Sequence, residues 1–151
     1  MRAVVQRVSR ASVSVDDRVV GNIGNGICVF VGALEGDDHK DVEFLGRKLA
    51  TLRIFHDDAG KMNRSVLDIG GAILIISQFT LAADTTSGTR PSFTAALEPA
   101  EAERLLSDLV EALRVQDIEV AIGQFGARMR VELVNEGPVT ILLDSRAKKK
   151  K

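Results

Sequence analysis

The sequence is poor in the side chains that most often build metal, redox and stacking sites. It has one cysteine, two histidines, no tryptophan and no tyrosine, and aromatic residues make up 4% of it. The single Cys28 cannot form a disulfide within the chain, which fits a reducing, cytoplasmic compartment. No HxxxH, HxxE or CxxC spacing occurs, so we predict no metal site. His39 and His56 lie far along the chain from the polar segment described below, and neither is predicted to be catalytic.

Charge and hydropathy exclude further classes. The formal net charge is −1, which argues against indiscriminate nucleic-acid binding because such binding depends on phosphate neutralisation. No apolar stretch approaches the roughly 18 residues of a membrane span, and the N-terminal segment does not resemble a signal peptide. The basic run from Arg146 to Lys151 is predicted to be a disordered, solvated tail, with attraction of a polyanion as the alternative.

The order of patterns predicts one domain over residues 1–145 with an α+β fold. Apolar alternation and turn residues predict short strands in the first and last thirds of the chain. Helical spacing predicts one amphipathic helix from Asp37, through Val42 to Leu52, and another from Glu98, through Ala102 to Leu113. We therefore expect a curled, largely antiparallel β-sheet or barrel with the two helices on its outside.

One buried strand ends in polar residues. The apolar run Ile73 to Ile76 is followed by Ser77, Gln78, Phe79 and Thr80. A hydroxyl or amide buried without a partner costs about 1–3 kcal/mol, so this segment either reaches the surface or forms a site. A hydroxyl nucleophile needs an adjacent base, and none is near in sequence. Backbone N–H groups, the amide and the hydroxyls could instead stabilise an oxyanion.

A second unusual segment contains Gly137 and Pro138. Proline removes a donor from a strand, and glycine allows backbone angles that other residues avoid. From the residues alone, an ordinary turn between two strands is enough to explain this pair.

These segments together resemble one enzyme family. The stretches SQFTLAAD (77–84), RPSF (90–93) and NEGPVT (135–140), with the opening VQRVSRASV and the internal RIFHDDAGKMN, are similar to D-aminoacyl-tRNA deacylases. The resemblance runs from Met1 to about Ser145. It implies a cytoplasmic homodimer that uses no cofactor and hydrolyses the ester between a D-amino acid, and also glycine, and the terminal adenosine of tRNA.

The resemblance also implies roles for particular residues. The pocket would be lined by Ser77, Gln78, Phe79 and Thr80. Gly137 and Pro138 would be joined by a cis peptide bond, reach into the partner subunit's site and exclude L-amino acids with their carbonyl groups. Arg7 would hold that pair in place. Phe125 and Met129 would lie near the adenosine.

Two questions stay open at this level. Water attack assisted by the 2′-hydroxyl of the substrate is the favoured mechanism, and a covalent ester on Thr80 is the alternative. A nonenzymatic nucleic-acid-binding β-barrel is the alternative function, although the few aromatic residues and the balanced charge argue against it.

Overall fold

The structure is a computed structural model that describes residues 1–147. Lys148 to Lys151, most of the predicted tail, lie outside the described residues. The elements in chain order are β1 (Arg2–Val15), β2 (Arg18–Ile23), β3 (Gly26–Gly32), α1 (His39–Thr51), β4 (Phe55–His56), β5 (Met62–Arg64), β6 (Ala72–Ser77), a short 3₁₀-helix (Phe79–Ala82), α2 (Pro99–Arg114), β7 (Glu119–Ile122) and β8 (Arg130–Asp144). The predicted α+β class is confirmed.

The long strand β1 organises the main sheet. One edge of β1 pairs antiparallel with β8 along almost its whole length, and the other edge pairs antiparallel with β3 and then with β2. A Cβ atom on Gly21 of β2 would lie 2.7 Å from the carbonyl oxygen of Ile122 in β7. The sheet therefore curls until its outer strands β2 and β7 approach each other.

The sheet is mixed, a feature that the sequence analysis did not anticipate. β6 pairs parallel with both β3 and β7, and α1 and α2 are the crossover connections. The apolar runs of β3 and β6 explain this arrangement, because parallel strands are buried on both faces and need not alternate. Ile73 and Ile75 face the core beneath the helices, whereas Leu74 and Ile76 face the core inside the curl.

Each helix begins at an acidic cap. α2 begins at Pro99 with Glu98 as its N-cap, as predicted. The first helix begins one residue later than expected, because Asp38 and not Asp37 forms the capping box with Asp41. Asp37 instead accepts a hydrogen bond from the Leu34 N–H (2.6 Å) and pairs with the Met1 ammonium (2.7 Å). Within residues 1–147, neither helix is long and apolar enough to cross a membrane.

β8 continues through Gly137 and Pro138 but leaves the ladder there. Gln6 of β1 pairs with Thr140 and Val8 pairs with Asn135, so β8 takes five steps where β1 takes two. The extra residues of β8 form an irregular, bulge-like segment. Such irregularities change the direction of the backbone locally. We call Asn135 to Thr140 the NEGPVT segment.

Candidate active site

The polar end of β6 is held by the backbone of its neighbour. The Gln78 N–H donates to the Val31 carbonyl (2.8 Å), and a Cβ atom on Gly32 would lie 2.6 Å from the Gln78 carbonyl oxygen. Only glycine therefore allows β3 to come this close to the turn. The chain then enters the 3₁₀-helix, whose Leu81 N–H donates to the same Gln78 carbonyl (3.2 Å). We call residues 77–80 the SQFT segment.

The side chains of the SQFT segment reach the surface. The Gln78 amide nitrogen donates to the Thr80 hydroxyl oxygen (2.5 Å). Phe79 is 60% exposed and packs edge-on against Phe93, with ring centroids 5.1 Å apart. No buried side-chain polar atom within residues 1–147 lacks a hydrogen-bond partner. The polar residues are thus not buried at a cost.

A cavity of about 630 Å³ opens beside this segment. It brings Ser77, Gln78 and Phe79 together with Phe125 and Met129, although these two groups are more than forty residues apart in sequence. The rest of the lining is mainly apolar and comes from the ends of β3 and β6, from the loop before α2 and the first turns of that helix, and from the segment that leads into β8. Thr80 is not part of the lining, although its hydroxyl accepts a hydrogen bond from Gln78, which is.

Among the lining residues that the sequence analysis did not select, Phe93 and Glu98 have well-defined contacts. Phe93 lies two residues after Pro91 in an irregular loop, and its contact with Phe79 holds it at the cavity. Glu98 is the one ionisable residue among the described residues that line this cavity. Its carboxylate caps α2 by accepting from the N–H groups of Ala100 (3.2 Å) and Glu101 (3.3 Å). The loop composition and the helix start were visible in the sequence, but their convergence on the cavity was not.

The NEGPVT segment is held in place by hydrogen bonds from the side chains of Arg7 and Asn135. Arg7, which is 8% exposed, donates from Nε to the Glu136 carbonyl (2.9 Å) and from Nη1 to the Ile54 carbonyl (2.7 Å). Asn135 accepts from the Val139 N–H (2.8 Å) and donates to the Val139 carbonyl (3.2 Å). These contacts fix both ends of the projecting backbone.

Gly137 and Pro138 lie at the exposed tip of this segment. Their peptide bond is cis, and Gly137 has a φ of +136°. A Cβ atom there would lie 2.9 Å from Cγ2 of Val139, so a side chain does not fit without movement. Both residues are exposed, and neither is in the lining of the 630 Å³ cavity. Within one chain, the structure therefore does not bring this pair to the SQFT segment.

The remaining reactive side chains lie elsewhere. Burial raises the pKa of the Cys28 thiol to about 12, so the thiol stays protonated and unreactive at neutral pH. His39 lies at the start of α1 beside Glu43 (3.5 Å), and His56 lies on the β4–β5 hairpin. Among residues 1–147, no three His, Cys, Asp or Glu side chains are grouped to hold a metal ion.

The fold and the cavity define an α+β protein with a ligand-sized site at the end of a parallel strand. Residues 4–144 match the family model described as D-Tyr-tRNA(Tyr) deacylase. The chain is 58% identical over 144 residues to the D-aminoacyl-tRNA deacylase of Ruegeria pomeroyi, covering 95% of this chain and 99% of that one. It is 55% identical to the enzyme of the same name from Chloroflexus aurantiacus, covering 96% and 91% of the two chains. The chain belongs to the D-Tyr-tRNA(Tyr) deacylase family.

Two solved structures share the fold of this chain. A structure titled c-Myc DNA Unwinding Element Binding Protein has a TM-score of 0.91 and 42% sequence identity, and the match covers 97% of this chain and 100% of that one. A structure titled as a probable eukaryotic D-amino acid tRNA deacylase has a TM-score of 0.82 at 17% identity, with 94% and 97% covered. The second likeness shows the fold alone.

Proposed function

We infer that this chain hydrolyses the ester that joins a D-amino acid to the terminal adenosine of tRNA, and so releases the free amino acid and the tRNA. The observation that carries this inference is the family match over residues 4–144, which includes both the cavity and the NEGPVT segment. Relatives more than half identical over nearly their whole length bear the name D-aminoacyl-tRNA deacylase. The chain is a hydrolase of translation quality control.

The cavity has the size and lining for the aminoacyl end of the substrate. Its volume of about 630 Å³ lies in the range of roughly 300–1,000 Å³ that is typical of small-ligand sites. Phe125 offers an aromatic face and Met129 an adaptable apolar surface for the adenine. The ester then lies toward Ser77, Gln78 and Phe79, at the polar end of the cavity.

The proposed chemistry uses water and no covalent intermediate. The water oxygen attacks the ester carbonyl carbon, the ester C–O bond breaks, and the 3′ oxygen of the ribose leaves with a proton relayed by the neighbouring 2′-hydroxyl. The first N–H groups of a helix have no intrahelical acceptor, so those of Phe79 and Thr80 are placed to stabilise the oxyanion. Thr80 already accepts a hydrogen bond from Gln78, which supports a role in orientation and not as nucleophile.

The proposed active form is a cytoplasmic homodimer of a single domain, residues 1–145, that needs no cofactor. Gly137 and Pro138 are exposed and lie outside the cavity of their own chain, which supports their use in the cavity of a partner. There, two fixed backbone carbonyls would accept the ammonium of a D-amino acid and exclude the L arrangement. Such discrimination is independent of the side chain and acts by exclusion.

A purely nucleic-acid-binding role is not favoured. The net charge of −1 and the 4% aromatic content provide few of the phosphate and stacking contacts on which such modules depend. RNA binding that falls steeply with salt, in a protein without deacylase activity, would favour that role instead.

The deciding experiment is incubation with matched D- and L-aminoacyl-tRNA carrying the same side chain. We expect D-tyrosyl-tRNA and D-aspartyl-tRNA to be hydrolysed at comparable rates, the L forms to be spared, and glycyl-tRNA to be partly accepted because it has no side chain to exclude. Hydrolysis of the L form as fast as the D form would contradict the proposal.

A further inference from the structure

A second cavity of about 250 Å³ lies beside the first, between α2 and the ends of β6 and β7. Ser77, Leu106 and Phe125 line both cavities, so the two share a wall. The proposed reaction does not use the second cavity. Its volume is below the roughly 300 Å³ at which sites for drug-sized ligands begin, so it suits a smaller fragment such as one nucleobase.

The second cavity has an apolar floor and a polar rim. The buried Ile75 and Val110 contribute apolar side chains to the floor, and Ile122 adds an apolar side chain that is exposed. Glu103, Ser107, Glu111 and Arg114 recur every three or four residues along α2, so they lie on one face of the helix and form the rim. An apolar floor with a few polar groups on one side is the usual construction of a site for a flat heterocycle.

The two cavities follow each other along α2. Pro99 and Ala102 line the first cavity, whereas Glu111 and Arg114 line only the second. A helix rises 1.5 Å per residue, so the segment from Ala102 to Arg114 spans about 18 Å, which is enough for two neighbouring nucleotides. Phe125 stands between them, and an aromatic ring can stack a base on each of its faces.

The charge of the rim selects which part of a nucleotide can enter. Carboxylates repel phosphate groups, and they accept hydrogen bonds from the exocyclic amino group of cytosine. The Arg114 guanidinium donates to the Val120 carbonyl (3.1 Å), so it is fixed at the far end of the rim. A base that directs its amino group at Glu103 or at Glu111 fits this rim, and a phosphodiester does not.

We propose that the second cavity binds the cytosine that precedes the terminal adenosine of the tRNA, with one of the two rim carboxylates, Glu103 or Glu111, accepting from its amino group. This inference rests on the proposed function and deepens it. The contact lies away from the ester, so it stabilises the bound substrate and the transition state equally. It therefore lowers KM and leaves kcat unchanged.

The test compares two synthetic substrates, a D-aminoacyl adenosine and a D-aminoacyl cytidylyl-adenosine, in which only the second carries the preceding cytosine. The variant combines Glu103→Gln with Glu111→Gln, which keeps size and helix propensity. We expect it to raise KM for the cytidylyl substrate about tenfold and to leave the adenosine substrate unaffected. Wild-type protein should also prefer cytosine to uracil at this position, and the variant should lose that preference.

The matched control combines Glu101→Gln with Asp108→Asn. Both residues pair with Arg104 on the same helix, and neither lines the second cavity. The control therefore removes two negative charges from α2, as the test variant does, but away from the cavity. We expect this control to behave as wild type. An equal loss in the control would assign the effect to long-range charge and overturn the inference.

The other outcomes are equally decisive. Equal kcat/KM for the two substrates in wild-type protein would overturn the second site and leave the proposed function intact. A loss already present with the adenosine substrate would place the terminal adenine in the second cavity and would also overturn the inference. Wild-type protein without activity on any D-aminoacyl substrate would instead refute the proposed function, and this inference with it.

Discussion

The SQFT and NEGPVT segments are positioned in opposite ways. Residues 77–80 are held by the backbone of β3, through Val31 and Gly32, and they face a cavity of their own chain. Residues 135–140 are held by the side chains of Arg7 and Asn135, and their tip is exposed outside that cavity. The first segment can bind a ligand within one chain. The second is also held by hydrogen bonds but faces outward, which is consistent with its proposed role in the cavity of a partner subunit.

The strongest test of this comparison is complementation between two inactive variants. Ser77→Trp fills the cavity, and Gly137→Ala displaces the tip of the NEGPVT segment. Each variant alone should retain about 1% of the D-aminoacyl-tRNA deacylase activity or less. In a mixed dimer, one site would receive both changes and the other would receive neither, so co-expression should restore about a quarter of wild-type activity.

The control for complementation is each variant expressed with itself, which should stay inactive. Light scattering at the assay concentration should show dimers in every sample. Mixed dimers without any regained activity would mean that both segments serve the same chain, and the division of the site between two subunits would have to be abandoned.

The next largest effect is expected for Gly137→Ala alone. An added Cβ atom would lie 2.9 Å from Cγ2 of Val139 and 3.1 Å from the Arg7 guanidinium, and φ is +136°, so the tip must move. A displacement of about 1 Å can lower a rate by about 100-fold. We expect a loss of that size for D-aminoacyl-tRNA, measured under single-turnover conditions.

Gly60→Ala is the matched control. Gly60 also has a positive φ, +77°, but nothing lies within 4 Å of the added Cβ atom, and it belongs to the β4–β5 hairpin. We expect it to cost about 1 kcal/mol of stability and to leave the deacylation rate unchanged. Equal losses of activity in the two variants would show that backbone strain, and not the place of Gly137, causes the effect.

The two segments also differ in what the sequence could predict. The SQFT segment stood out because polar residues interrupt an apolar run, and that is a local signal. The parallel pairing of β6 was missed because a continuous apolar run fits several kinds of buried strand equally well. Phe93 and Glu98 were missed because they reach the cavity only through the tertiary packing of a loop and a helix start. The outward direction of Gly137 is likewise a property of the register between β1 and β8.

A smaller effect is expected for Asn135→Ala. The side chain bonds to both the N–H and the carbonyl of Val139, so its loss frees the end of the segment that follows Pro138. Unsatisfied backbone groups cost about 1–3 kcal/mol, and a loss of about 30-fold in kcat/KM for D substrates corresponds to the middle of that range. The ratio of D to L hydrolysis should fall as well.

Asn63→Ala is the control for Asn135→Ala. Asn63 donates to Asp57 (2.8 Å) on the exposed β4–β5 hairpin, so it loses a comparable side-chain contact far from both segments. Its kinetics should match wild type. An unchanged D-to-L ratio in Asn135→Ala would show that Asn135 contributes to stability alone and would contradict the proposed role of the NEGPVT segment in excluding L-amino acids.

The smallest effect is expected for Thr80→Ala, and it tests the chemistry of the SQFT segment. A hydroxyl acts as nucleophile only with a base to take its proton. The Thr80 oxygen accepts from the Gln78 amide, which is a donor and cannot take a proton, and Glu98, the ionisable residue in the cavity lining, is engaged in capping α2. Removing an orienting hydrogen bond costs about 1 kcal/mol, so we expect the rate to fall about fivefold.

A true hydroxyl nucleophile gives a very different result, because its deletion lowers kcat by about a million-fold. Thr80→Ser should behave almost as wild type under either mechanism, so Thr80→Ala is the informative variant. Mass spectrometry of wild-type protein quenched during turnover should find no acyl group on the chain. An acyl group on Thr80 would show that this segment reacts covalently. In that case the SQFT segment would do more than bind and orient the ester. Thr80 would then need a catalytic base, and the described residues of one chain do not supply it.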